Sequence, residues 1–170
     1  MSLFSRRNVT LTPQPGLAPR PAAEVRAALL ALNRPDVRYA VRDGAPEGVD
    51  LVAEFQLVKL ARKGVFGRVQ DCEEYQIRMR LAAETGEVRA LDHHSEFTLT
   101  GEDPPRRRTQ TSSRGQIHKK FVGYEFAHAP DGTRERRETY RFDTDDLKHA
   151  LQQAVLTRGW TWQGLTGGKP

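Results

Sequence analysis

The densest set of groups able to do chemistry in this 170-residue chain is Asp92-His93-His94-Ser95-Glu96. On a strand, alternate residues share a face, so Asp92, His94 and Glu96 group together, opposite Leu91, His93 and Phe97. Two carboxylates around an imidazole suit zinc or iron. Same-face neighbours on one strand lie about 6.5–7 Å apart, however, so three in a row converge poorly on one ion. A simpler reading places Arg78 and Arg80 across a hairpin from Asp92, His94 or Glu96 as a ladder of opposite charges on a solvent face. No metal ligands and no cofactor are expected on that reading. His93 then points inward as a buried titratable group, and His93 and His94 are the two histidines to look for at the mouth of any pocket.

Other reactive residues offer less. Cys72 sits among Asp71, Glu73 and Glu74, whose charges disfavour a nucleophilic thiolate. The chain has no GxSxG, HExxH, paired CxxC or P-loop pattern, and Gly64-Val65-Phe66-Gly67 lacks the lysine of a phosphate loop. No catalytic residue is assigned, although residues gathered by the fold alone would leave no linear motif. Trp160 and Trp162 fall on one face of a short strand. They cap the core on the simpler reading, and on the other form a stacking platform at a pocket.

The charge is local. Arg106–Lys120, RRRTQTSSRGQIHKK, holds six of the 27 basic residues and no acidic one; the rest of the chain has 21 basic against 22 acidic residues. The net charge of +5 therefore comes from one stretch. Arg106, Arg107, Arg108, Arg114, Lys119 and Lys120 are the candidate anion-binding side chains. Aspartate and two prolines precede them, which predicts a long basic loop, solvated or gripping an anion. The stretch contains no aromatic residue to stack on bases and no RNA-binding signature, so nucleic acid is an alternative partner, not the favoured one.

These residues need elements to position them. Residues 1–20 read as an extended arm rich in proline. The segment PAAEVRAALLALN follows as a helix with Ala22, Val25, Leu29 and Leu32 on one stripe. Period-two alternation then runs through Val37–Val41, Leu51–Leu57 and Tyr75–Leu81, and a turn at Glu84-Thr85-Gly86 makes a hairpin. Residues 63–71 read as a bulged edge strand or a loop. A second hairpin turns at Pro130-Asp131-Gly132. A helix capped by Asp143 or Thr144 carries Leu147, Leu151 and Val155, and Gly159 ends it before WTW. Residues 166–170 read as a frayed tail.

The expected architecture is α+β: one domain over 21–165, an antiparallel β-meander with an N-terminal and a C-terminal helix packed on one face. The single cysteine predicts a reducing, cytoplasmic setting, and the arginine-rich, isoleucine-poor usage a bacterial GC-rich genome. The longest apolar run, AALLAL, is far short of a membrane span. The functional expectation is a small non-catalytic binding or accessory protein meeting a protein or anionic partner through residues 106–120. Its rivals are a sheet–helix cavity that binds or converts a small molecule, and nonspecific nucleic-acid binding.

Overall fold

The computed structural model describes residues 8–59, 62–64, 67–101 and 104–170. Val65 and Phe66 of the glycine-flanked segment, the strand-breaking Asp103 and the first seven residues of the arm lie outside the described residues.

The chain enters along β1 (Val9–Leu11) and reaches α1 (Ala22–Leu30), which starts directly after Pro21 and buries Val25 and Leu29. Asn33 then acts as a piece of strand. Its amide accepts from the Val41 N–H at 2.7 Å and donates to the Val41 carbonyl at 2.8 Å, satisfying the edge of β2 (Ala40–Asp43). After a 3-10 turn come β3 (Leu51–Val58), the short β4 (Arg62–Gly64) and the two long strands β5 (Gly67–Ala82) and β6 (Glu87–Thr100). Next are β7 (Arg106–Gly115), β8 (Lys120–His128), β9 (Arg134–Asp143), α2 (Thr144–Leu156) and β10 (Thr161–Leu165).

The hairpin β5–β6 is the spine. Residues 83–86 close it, with Ala82 opposite Glu87 and Gly86 supplying the left-handed φ of 63° that the turn requires. That closure sets the register: Leu81 meets Val88, Met79 meets Ala90, and Tyr75 meets His94. The inner face so formed packs with Leu51, Ala53 and Phe55 of β3 against Val25, Leu29, Leu147, Leu151 and Val155 of the two helices. Each large apolar side chain buried there contributes about 1.5–3 kcal/mol. At the start of α2 the Asp143 carboxylate caps the Asp145 N–H at 3.0 Å, with Asp145 and Asp146 in the positive first turn.

The result is an α+β domain with two helices on an eight-stranded sheet, ordered β1-β10-β6-β5-β3-β2, with β4 on β5 and β7 on β6. The sheet is not the purely antiparallel meander that the hairpins predict. After α2 the chain crosses back, and β10 lies parallel to β6 along Glu87–Leu91. The remaining length of the same β6 edge, Asp92–Thr100, carries β7 antiparallel. The basic stretch is likewise not one long loop, since its first ten residues form this edge strand. Periodicity could not reveal it: nine of the ten residues are exposed on both faces, so no apolar alternation is needed.

Strands β8 and β9 form a separate two-stranded ribbon. Its base is pinned by Phe121 and Phe142; the Phe142 ring stacks on Phe55 at 3.9 Å, and Phe121 lies 5.1 Å from Phe55. Beyond that base, β9 from Arg134 to Thr139 is exposed.

Candidate functional site

The hairpin register corrects the sequence reading of the histidine segment. Asp92, His94 and Glu96 lie on the inner, helix-covered face, opposite Ile77, Tyr75 and Glu73. His93 faces outward, with Leu91 and Phe97. Arg78 and Arg80 stand opposite Leu91 and Arg89, not opposite the acidic residues. The apolar Leu91 and Phe97 suggested the wrong parity because the outer face also buries them.

Two polar clusters occupy the inner face. In the first, Glu73 is nearly buried; its Oε1 pairs with Lys59 Nζ at 2.7 Å and its Oε2 with Lys119 Nζ at 2.6 Å. Burial alone would raise the Glu73 pKa, but hydrogen bonds from Lys119, Lys59 and His94 outweigh it and hold the group at about 2. Glu73, His94 and Glu96 bring ligand atoms within 4.8 Å of one another, a donor set that a divalent ion could use. The Lys119 ammonium already sits among them, 3.0 Å from His94 Nε2 and 3.9 Å from Glu96 Oε1. It supplies the positive charge that the carboxylates need. His94 Nε2 also lies 3.2 Å from Glu73, but a single ring nitrogen cannot accept from Lys119 and donate to Glu73 at once.

In the second cluster, Lys148 of α2 pairs with Asp92 at 2.8 Å, with side-chain exposures of 7% and 1%. Asp92 Oδ2 also accepts the Ile117 N–H at 2.8 Å, and Lys148 donates to the Ile117 carbonyl at 3.1 Å. This pair ties α2 and the β7–β8 connection to the sheet. Desolvation offsets much of the attraction in such a pair, so its role is to fix geometry more than to add stability. Nearby, the buried Tyr75 hydroxyl has no well-placed hydrogen-bond partner among the described residues, with Asp92 and Thr144 as its polar neighbours. Burial first, then the Asp92 charge, raises its pKa.

The outer face holds a different arrangement. A concavity of ≈ 480 Å³ is lined by Arg78, Arg80, Leu91, His93, Arg114 and Lys169, with Glu47–Val49, Gly168 and Pro170 completing its wall. The register explains the convergence, because Gln76, His93 and Arg114 form one cross-strand row and Arg78 and Leu91 the next. Arg78 donates to the neutral Gln76 Oε1 at 3.1 and 3.0 Å, and Arg80 donates to the Gly48 carbonyl. The acidic wall residue Glu47 is held in a two-pronged pair by Arg42 at 2.6 and 3.0 Å, and Arg42 also reaches Glu54 at 2.7 Å. Among the described residues, Arg78, Arg80, Arg114 and Lys169 thus make no close ion pair, although the charge of Arg78 helps to lower the Glu47 pKa. Burial, then the charges of Arg78 and Arg114, depresses His93 to about 4, so its imidazole is neutral at pH 7. A second hollow of ≈ 350 Å³, lined by Arg68, Gln70, Leu99, Gly101 and Pro105, has one cation and no such convergence among the described residues.

The six basic candidates divide among separate places. Arg114 enters the concavity. Arg107 pairs with Glu74 at 3.0 Å and lies 3.7 Å over the Phe97 ring. Lys119 belongs to the Glu73 cluster, and Lys120 pairs with Asp143 at 3.2 Å. Arg106 and Arg108 are exposed, without an acidic partner among the described residues. Of the pocket candidates, His93 lines the concavity and His94 sits in the inner cluster. Trp162 is core, and so is Trp160, which also edges a shallow groove formed with residues 19–22 and 83–86. Sequence reasoning missed Glu73, Lys148, Arg78 and Arg80 as members of these sites. Glu73 was within reach: it shares the parity of Tyr75 and Ile77, which marks an inward charge needing partners.

No family model, curated protein or solved structure matches this chain. No helix among the described residues is long and apolar enough to cross a membrane.

Proposed function

We propose that this is a small non-catalytic binding protein that receives an anionic group of its ligand or partner on the outer face of the sheet. The observation carrying this reading is the concavity around His93, where four cationic side chains converge without a close ion pair among the described residues, the wall's Glu47 being held by Arg42. Guanidinium groups offer paired N–H donors that match phosphate or carboxylate oxygens. Leu91 provides an apolar floor, and neutral His93 can donate or accept one further hydrogen bond. The basic stretch contributes through Arg114 alone. The inner-face clusters support a structural role instead, since Lys59, Lys119 and Lys148 already engage their acidic groups.

Titration calorimetry with pyrophosphate and with citrate tests the reading. Binding is expected, and replacing both Arg78 and Arg114 by Gln should weaken it at least tenfold, since each charged hydrogen bond contributes about 1.5–3 kcal/mol. Arg34→Gln, which alters an exposed arginine paired with Asp36, serves as the control and should bind as the parent does. Equal affinity in the Arg78/Arg114 variant, or no binding of either anion to the parent, rejects the concavity as the site.

A further inference from the structure

We infer that the free edge of β7 is a docking edge for an acidic, extended peptide segment, which adds to the sheet as one more strand. This goes beyond the concavity and rests on a different observation. Strand β7 is ten residues long and pairs on one side only. No backbone hydrogen bond among the described residues joins Arg106–Arg114 to any element other than β6. Its outward N–H and C=O groups therefore form a row of unsatisfied donors and acceptors, the template on which strand addition builds. It contains no proline, and no helix or ribbon covers it: every residue from Arg106 to Arg114 is exposed.

The charge of the strand selects the occupant. Arg106 and Arg108 have no acidic partner among the described residues, and Arg114 has none either. A second copy of this chain fits poorly, because a centred antiparallel pairing sets Arg107 against Arg114, and a parallel one sets each arginine against its own copy. An incoming strand with acidic residues at alternate positions meets Arg106 and Arg108, which share a face opposite Thr100 and Thr98, with opposite charge while its backbone completes the ladder. The one irregularity is between Glu96 and Phe97, where Gln110 is the extra residue in β7. Its amide turns back to Thr98 Oγ1 at 2.6 Å, leaving stretches of outer edge on both sides.

The test uses a fluorescent ten-residue peptide of alternating Glu and Thr, measured by anisotropy on the full chain. Two further peptides are N-methylated at alternate residues, one at each parity. Only one parity of a docked strand points its N–H groups at β7, so one methylated peptide should bind like the parent and the other at least tenfold more weakly. The protein is unchanged in that comparison, so misfolding cannot mimic the result. Replacing Arg106 and Arg108 by Glu should also weaken binding at least tenfold. Equal binding of both methylated peptides means a contact with charge alone and overturns the proposal. So does absence of binding, or equal binding of a ten-nucleotide oligothymidylate that competes with the peptide. Sedimentation showing a dimer that the peptide cannot dissociate would place a second copy on the edge and overturn it as well.

Discussion

The residue that reports most directly on the outer face is His93. Its folded pKa of about 4 lies below the ordinary 6.5, so the folded protein favours the neutral ring. The sign follows. As pH falls from about 6.5 to about 4, the unfolded chain takes up the proton first and stability declines by at most about 3 kcal/mol, less what solvent screening of the half-buried ring removes; below that, no further loss comes from this group. Arg78, Arg80, Arg114 and Lys169 surround it, with Glu47 the acidic side chain among the described residues of the wall. An anion among them offsets their field and stabilises the imidazolium. Sulfate, whose own charge stays constant over this range, is therefore expected to raise the His93 midpoint by about one unit in an NMR titration. A midpoint that does not move with sulfate places the anion elsewhere. Proton uptake linked to binding also predicts tighter sulfate binding at pH 4.5 than at pH 7.

At the scale of elements, the two long strands and the helices were legible because each obeys its period. Tyr75, Ile77, Met79 and Leu81 alternate, and Leu147, Leu151 and Val155 recur at helical spacing. Elements carried by other forces were not. Strand β7 buries almost nothing, so its only sequence signature is charge, and charge also describes a loop. The parity of β6 was misread for a related reason. Leu91 and Phe97 are buried on the outer face, whereas Val88 and Ala90, smaller and weaker signals, mark the true core face. The β8–β9 ribbon depends on its aromatic base, since an isolated two-stranded ribbon is at best marginal in water. Phe121→Ala is expected to destabilise the fold by about 3–5 kcal/mol by urea denaturation. In native-state hydrogen exchange, amides of Arg134–Thr139 should exchange well before those of Tyr75–Leu81. Equal protection of the two segments would mean that the ribbon draws its order from more than its base.

For the molecule as a whole, the sheet is closed on one side by pairing between the two ends of the described chain. Strand β1 lies antiparallel on β10, with Val9 opposite Gly164, and Asn8 Oδ1 accepts the Thr166 N–H at 3.0 Å. Trp160 Nε1 donates to the Arg20 carbonyl at 2.7 Å, while the Arg20 N–H reaches the Arg158 carbonyl at 2.9 Å. Local patterning cannot announce contacts across such separations, which is why the parallel pairing of β10 was invisible in the sequence although a short strand at the tryptophans was not. The arm thus covers the outer edge of β10, which would otherwise stand as an open template beside the buried Trp162. Two changes of graded size test this. Trp160→Phe removes the indole donor and part of the buried ring, leaving the Arg20 carbonyl unpaired and a small cavity, at about 1–3 kcal/mol and a melting temperature lower by roughly 2–10 °C. Removing the chain through Arg20 deletes β1 with all of these bonds. It should lower the melting temperature by at least twice as much and promote association through the bared β10 edge, seen by light scattering. A truncated chain that melts within a degree of the parent and remains monomeric would show that β1 merely lies on the sheet without supporting it.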